Sequence, residues 1–351
     1  MRAARPPSLC SVFWFELERA VAQTGRDKGK EMEIKQAIIT GFMGKLKDRF
    51  SEYHESKTPE EKIAAVAKVK GAKGVEIVYP YELQDLDVIK KTLKKYHLGV
   101  AAVNVNIKGE PEFVKGSSSV NSKKLRDKAI QFICEGMDTA AKLGTDKITC
   151  CPLSDGYDYL FQVDYQQAWK NMVSTFKEAA RHRKDIRLFL EYKGSETRVN
   201  CYLDTAAKTI CMIHDINESN LGITIDVGHS LMVGETVAES ICLAQSSGIP
   251  YYIHINDNNR KWDWDLIPAT RNLWDYLEML FYLKKFNYRG WVTSDMSPVR
   301  LDPIKAFERT IATTEKMIKI VNRLDSKKLL SMIRSEKTLE TLKWLEDHVL
   351  A

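Results

Sequence analysis

Four apolar segments of the chain run directly into residues of metal-ligand type: Leu190-Glu191-Tyr192-Lys193, Ile225-Asp226-Val227-Gly228-His229, Ile253-His254-Ile255-Asn256-Asp257 and Thr293-Ser294-Asp295. Glu191, Asp226, His254 and Asp295 together offer three carboxylates and one imidazole. Such an oxygen-dominated set suits Mn²⁺ or Mg²⁺, with Co²⁺ also compatible, better than a thiolate-type zinc site would. A second set, His229 with Asp263 and Asp265 of the following loop, lies within reach, and Asp226 could bridge the two. One or two divalent cations per chain are therefore expected. Brought together without a cation, these carboxylates would repel one another and lose hydration at a cost of several kcal/mol each.

Each residue also has a plain structural use. A strand-end carboxylate is commonly a helix N-cap or half of a loop salt bridge. His254 could be a hydrogen-bonded core histidine, Asp263 and Asp265 solvated loop charges, and Lys193 a surface lysine paired with Glu196. What favours metal binding is the convergence, because four consecutive strand ends finish in the same way.

The elements that must position these residues can be read from the alternation of short β-rich runs with longer amphipathic stretches. Strands are predicted over Gln36–Thr40, Gly74–Tyr79, Gly99–Val105, Lys147–Cys151, Arg187–Tyr192, Leu221–Asp226, Tyr251–Ile255 and Gly290–Ser294. Helical patterns lie over Pro59–Val69, Lys124–Leu143, Tyr165–Arg183, Leu203–Asp215, Val237–Ser246, Leu273–Phe286 and Pro303–Arg323. Strands alternating with helices imply parallel pairing, because parallel neighbours need a crossover. Several strands are nearly unbroken apolar runs (ITI, YYIHI, RLFLE), as expected when both faces are buried. No glycine fingerprint follows a strand, so a closed α/β (β/α)8 TIM barrel is favoured over an open doubly wound sheet. In such a barrel all strand C-termini converge on one mouth. The barrel is placed over residues 33–323, with an N-terminal extension over 1–32 and a charged helical tail over 324–351 that could form a subunit contact. The Gly- and Ser-rich stretch Lys108–Lys123 is expected to be a mobile loop over one face.

With 53 basic and 47 acidic residues, the net charge of +6 gives no dense basic stripe, so no nucleic-acid partner is expected. No apolar run approaches the roughly 20 residues that span a bilayer, so no membrane partner is expected either. The patch Val12-Phe13-Trp14-Phe15 is cut short by Glu16 and Glu18, which argues against a secretory signal. Seven cysteines without a CxxC pair read as reduced thiols, and the expected location is the cytoplasm.

The segment Glu191-Tyr192-Lys193-Gly194-Ser195-Glu196-Thr197-Arg198 resembles the E-x-K-x-x-E-x-R motif of the xylose isomerase-like barrel superfamily. The later motifs follow in the same order: Asp226-x-x-His229, His254, Asp263-x-Asp265 and Asp295. Together they look most like the xylose and L-rhamnose isomerase branch, over roughly residues 33–323. The resemblance implies a first metal on Glu191, Asp226, His254 and Asp295, and a second, more mobile one on His229, Asp263 and Asp265. It implies that Lys193 hydrogen-bonds a substrate oxygen near the reacting carbonyl, with Glu191 and Asp295 completing the catalytic set. His229, Arg260, Trp262 and Asn106 are the expected substrate contacts, with Trp264 and Tyr157 as further pocket walls.

The implied function is an aldose–ketose isomerase of a small unphosphorylated sugar, acting by metal-assisted hydride shift, in a homo-oligomer. No lysine–arginine cluster or glycine-rich cradle for a phosphate stands at the last two strand ends. The chain departs from the xylose isomerases where they use an early histidine–aspartate pair to open the sugar ring. Here the third strand ends Asn104-Val105-Asn106, and His54 and His97 are not in strand-end positions. Asp155 or Asp158 could serve instead, or the substrate is not a stable pyranose.

Ketose 3-epimerases share Asp226-x-x-His229 and the His254-x5-Arg260 spacing but use one metal and two facing glutamates, where this chain has Asp295. A sugar-conjugate lyase, an apurinic-site endonuclease and a non-catalytic sugar-binding barrel are the remaining readings. The endonucleases carry Asp-x-His where this chain has Asp263-x-Asp265.

Overall fold

A computed structural model describes residues 31–350. Eight parallel strands close into a barrel: β1 (Lys35–Ile39), β2 (Gly74–Tyr79), β3 (Gly99–Val105), β4 (Lys147–Cys150), β5 (Arg187–Glu191), β6 (Leu221–Asp226), β7 (Tyr251–Ile255) and β8 (Trp291–Ser294). Strand β8 pairs back onto β1, Lys35 opposite Trp291. Each strand is followed by a helix: α1 (Pro59–Lys68), α2 (Leu86–Tyr96), α3 (Lys123–Leu143), α4 (Tyr165–His182), α5 (Ala206–Ile216), α6 (Val237–Ser246), α7 (Leu273–Lys285) and α8 (Pro303–Arg323). The expected TIM barrel is therefore the observed fold, and every predicted strand is present to within a residue at either end.

Local chemistry sets the element ends. Thr58 and Glu61 form a reciprocal capping box at the start of α1, with Pro59 in the first turn where its missing N–H costs nothing. Asp302 caps α8 ahead of Pro303 by accepting the Lys305 N–H at 2.9 Å. Helix α2 is not among the helices expected from the sequence. Four lysines in its eleven residues leave only Ile89 and Leu93 buried, too narrow a stripe to stand out.

Residues alternate in and out along each strand, so positions two apart share the barrel interior. At the base, Ala102, Phe189 and Tyr252 pack with Trp291 into an apolar plug. Gly222 makes room for it, since a Cβ there would stand 2.5 Å from the Phe189 ring. Two residues further along, the same strands present Glu191, Thr224, His254 and Thr293, and the interior turns polar.

Three expectations are corrected or narrowed. Residues 1–30 of the expected extension lie outside the described residues, but Met32 is buried and its N–H donates to Asn322 Oδ1 at 3.0 Å, so it belongs to the barrel base. The Lys108–Lys123 stretch is anchored rather than loose. Phe113 and Ser117 to Ser119 are buried, because those serines wrap the Asp155 carboxylate. The tail is a pair of helices, α9 (Ser326–Arg334) and α10 (Thr338–Val349), which bury Leu329 and Trp344.

Candidate metal centre

The barrel register assembles the first ligand set. Asp226 at the end of β6 lies beside His254 of β7, and Glu191 closes β5 one inward position lower, opposite Thr224. Asp295 follows β8 directly, its N–H bonded to Ile255 O at 3.1 Å. Ligand atoms of Glu191, Asp226, His254 and Asp295 all lie within 4.8 Å of one another. His254 Nδ1 stands 3.2 Å from Asp295 Oδ2 and 3.6 Å from Glu191 Oε2.

The Asp-x-x-His spacing has a local cause. Asp226 is the N-cap of a short helix, Val227–Met232, and accepts the His229 N–H at 2.9 Å. The cap turns the chain so that His229 comes back over the strand end, and Asp226 is both cap and candidate ligand. His229 Nδ1 lies 3.2 Å from Glu191 Oε1, and Nε2 lies 3.2 Å from Asp263 Oδ2. Asp226, His229 and Asp263 form a second cluster that shares Asp226 with the first. Gly228 lets the turn close, since a Cβ there would be 2.7 Å from Asn256 Oδ1 and 3.0 Å from Asp263 Oδ1. Asp265 borders the cleft at φ 45° and is bonded by Asn256 Nδ2 at 3.2 Å.

Three atoms here argue that the residues present fit a divalent cation. His254 Nδ1, His229 Nδ1 and Asp263 Oδ1 are buried without a hydrogen-bond partner, a costly state for polar atoms. Electrostatics agrees. Burial, countered by His229 but reinforced by Asp295, Glu191 and Asp263, pushes the Asp226 carboxyl up to about 7. Burial and the carboxylates Asp263 and Asp295 push Asp265 well up. Burial works against charge on Glu191 too, but His254 and His229 hold that carboxyl well below the usual range. Since a cation needs the Asp226 carboxylate, its uptake should expel protons, and apparent affinity should rise as pH climbs through about 7. Calorimetric titrations with Mn²⁺ in two buffers of different ionisation enthalpy would measure that proton release. Equal heats in both buffers at pH 6 would contradict it.

Lys193 is buried rather than a surface residue. Its ammonium pairs with Glu196 and lies 2.8 Å from Asp263 Oδ2. Burial disfavours its charge, but Asp263 and Glu196 outweigh this and hold it above the ordinary lysine range. The cleft over these groups is about 280 Å³ and is also bordered by Phe42, Asn104, Asn106, Lys108, Cys151 and Leu153. That is near the lower end of small-molecule sites, which begin at about 300 Å³. A larger hollow of about 730 Å³ lies at the opposite end of the barrel, around Lys35, Gln36 and Trp291, away from both clusters.

Not every expected contact is in the cleft. Arg260 is exposed, its guanidinium bonded to Asn272 Oδ1 at 2.9 Å and Asp275 Oδ1 at 2.6 Å, so it does not reach the substrate volume. Trp262 and Trp264 are 59% and 49% exposed, and neither lines the cleft. Tyr157 packs on Tyr165 and Tyr202 instead. Asn106 does line it, though its Oδ1 is occupied by the Lys108 and Gly109 N–H groups. Asp155 is consumed by the serine clasp and Asp158 is exposed, so neither stands at the sugar as a ring-opening base.

Two further residues of the centre are not among those expected from the sequence. Glu76 of β2 is fully buried beneath the centre and lies 3.1 Å from His254 Nε2. A charged residue inside the apolar strand GVEIVY was the available signal. Asn256 donates to both Asp226 oxygens at 3.1–3.2 Å and accepts Gly228 N–H at 2.6 Å.

An eight-stranded barrel with carboxylates and histidines at its C-terminal mouth defines a class, and comparison supplies the family. The chain belongs to the xylose isomerase-like TIM barrel family, whose family model matches residues 63–317. A xylose isomerase from Bacillus cereus is 22% identical over 200 residues, which cover 54% of this chain and 45% of that enzyme. The match thus spans less than half the length of that relative. Among solved structures, a D-tagatose 3-epimerase-like protein superposes with a TM-score of 0.65 at 20% identity, over 82% of this chain and 98% of that one. An L-ribulose 3-epimerase gives 0.64 at 17%, over 83% and 96%. An AP endonuclease of family 2 from Brucella melitensis gives 0.61 at 17%, over 78% and 97%. At these identities the likeness is one of fold. No helix among the described residues is long and apolar enough to cross a membrane.

Proposed function

We propose that the chain is a divalent-metal-dependent isomerase that interconverts an aldose and a ketose, in the cytoplasm and as a homo-oligomer. The observation that carries this reading is the pair of donor clusters sharing Asp226, with the Lys193 ammonium held against Asp263 of the second. Cations of the Mn²⁺, Mg²⁺ or Co²⁺ type, held by Glu191, Asp226, His254 and Asp295 and by His229, Asp263 and Asp265, would supply Lewis-acid polarisation of neighbouring sugar oxygens.

The chain's own residues supply the rest. Lys193 is kept charged and in place by two carboxylates, so it donates a fixed hydrogen bond to an oxygen at the reacting carbon. Asn256 fixes the Asp226 carboxylate, and Glu76 fixes the His254 ring. The small cleft holds an open-chain sugar with adjacent oxygens in register. The single-metal epimerase reading loses support, because the arginine of the His254-x5-Arg260 spacing is turned onto Asp275 and the eighth-strand carboxylate is the shorter Asp295.

Metal content by mass spectrometry tests this. Wild-type protein should carry close to two Mn, Mg or Co per chain, falling to about one in Asp263→Ala/Asp265→Ala. Turnover in heavy water should give a ketose or aldose carrying little solvent deuterium, as direct hydrogen transfer between carbons requires. One ion per chain in both proteins, with deuterium incorporated at C3, would move the assignment to an epimerase.

A further inference from the structure

The geometry points to a third, thiophilic cation seat in this centre, built from Cys151, Glu191 and His229, which takes Zn²⁺ or Cd²⁺ in competition with the harder cations. Cys151 follows β4 directly. Cys150 packs in the apolar core, while Cys151, its neighbour, borders the cleft. A ligand atom from each of Cys151, Glu191 and His229 lies within 4.8 Å of the others, and all three residues are buried. A second observation at this seat is His229 Nδ1, the same unpartnered atom that faces the hard-cation centre. It is a buried ring nitrogen with no hydrogen-bond partner, and Glu191 Oε1 stands 3.2 Å away.

Donor chemistry separates this seat from the others. The Glu191, Asp226, His254, Asp295 set offers three oxygens and one nitrogen, which suits hard cations. One sulfur, one nitrogen and one oxygen make a three-ligand zinc-type set that leaves a fourth position open. On binding, the Cys151 S–H bond breaks, the proton leaves to solvent and a sulfur–metal bond forms, with no change of oxidation state. Because Glu191 and His229 also belong to the hard-cation clusters, the two occupancies exclude one another. The centre is therefore expected to be inhibited by thiophilic cations through a side chain that catalysis does not use. The seat stands whichever sugar reaction the cleft carries.

The test is a titration of metal-stripped protein with Cd²⁺ alone, followed by the ultraviolet thiolate-to-cadmium charge-transfer band. Wild type should develop the band at one Cd²⁺ per chain, with a cadmium NMR resonance in the range of a single sulfur ligand. Cys151→Ser and Cys151→Ala should lose the band and bind Cd²⁺ at least about tenfold more weakly, while Mn²⁺ affinity changes less than about threefold. A band that persists in both variants would assign the binding to another thiol, such as exposed Cys211, and overturn the proposal. So would a cadmium resonance without sulfur, which needs no variant to observe.

Discussion

Replacing Asp226 with asparagine is expected to remove both hard cations from the centre and cut turnover by about a thousandfold or more, while leaving the metal-free protein at least as stable as its parent. The first half follows from Asp226 being the residue common to both clusters. The second half follows from what its charge costs. An aspartate whose folded pKa is raised destabilises the fold increasingly above its unfolded value, and that cost is complete above the folded value of about 7. A rise of this size corresponds to a few kcal/mol, on the order of 1.4 kcal/mol for each tenfold change in proton affinity. The substituted asparagine would still cap the helix start through its carbonyl oxygen. Its amide nitrogen would give up one of the two bonds that Asn256 Nδ2 donates to the carboxylate, a loss smaller than the cost of the buried charge. Thermal unfolding of stripped samples should show the variant gaining on wild type as pH rises from about 5 to about 7.5. A variant that melts well below wild type at every pH would show that the carboxylate is a structural cap first.

The barrel was legible in the sequence because its strands are buried on both faces, which makes them unbroken apolar runs that end abruptly in polar residues. The same abruptness exposed the first ligand set, since Glu191, Asp226 and Asp295 sit at or just past a strand end and His254 one residue before one. What was not legible depends on partners distant along the chain. The His254-x5-Arg260 spacing suggested a substrate contact, but Asp275 in the first turn of α7 takes the guanidinium. Asp155 looked like a free loop acid, yet its partners are three serines 36–38 residues upstream. Trp262 and Trp264 flank a ligand in sequence, but flanking residues on an extended loop face away from it as readily as toward it. Glu76 could have been found from sequence alone, as a charge at an inward position of a buried strand, but its 178-residue separation from His254 hid its purpose.

Loss of the Glu76 carboxylate carries the second large expected effect. Oε1 accepts from Asn104 Nδ2 at 3.0 Å and Thr149 Oγ1 at 2.7 Å, and Oε2 accepts from Tyr252 at 3.0 Å and faces His254 Nε2 at 3.1 Å. Burial would raise its pKa, but charge on His254 and these hydrogen bonds outweigh burial and hold it below the usual range. A carboxylate lowered in this way contributes stability that is present above the unfolded pKa and lost as pH falls through the folded one. Glu76→Ala takes the acceptor from three buried donors, Thr149, Tyr252 and His254, and from half-buried Asn104, and should cost about 3–5 kcal/mol of stability. Glu76→Gln keeps the volume and one acceptor, so the fold should survive with a smaller loss. Its effect on the centre is more telling. With Nε2–H held by Glu76, Nδ1 is the nitrogen left to face Glu191 and Asp295, and a glutamine amide does not enforce that tautomer. Mn²⁺ affinity of Glu76→Gln should therefore fall about 10- to 100-fold by calorimetry, the range seen when an outer partner of a metal-bound histidine is removed. A folded Glu76→Gln protein that binds Mn²⁺ as tightly as wild type would make Glu76 a partner of Tyr252 and Thr149 alone, with no part in aiming His254.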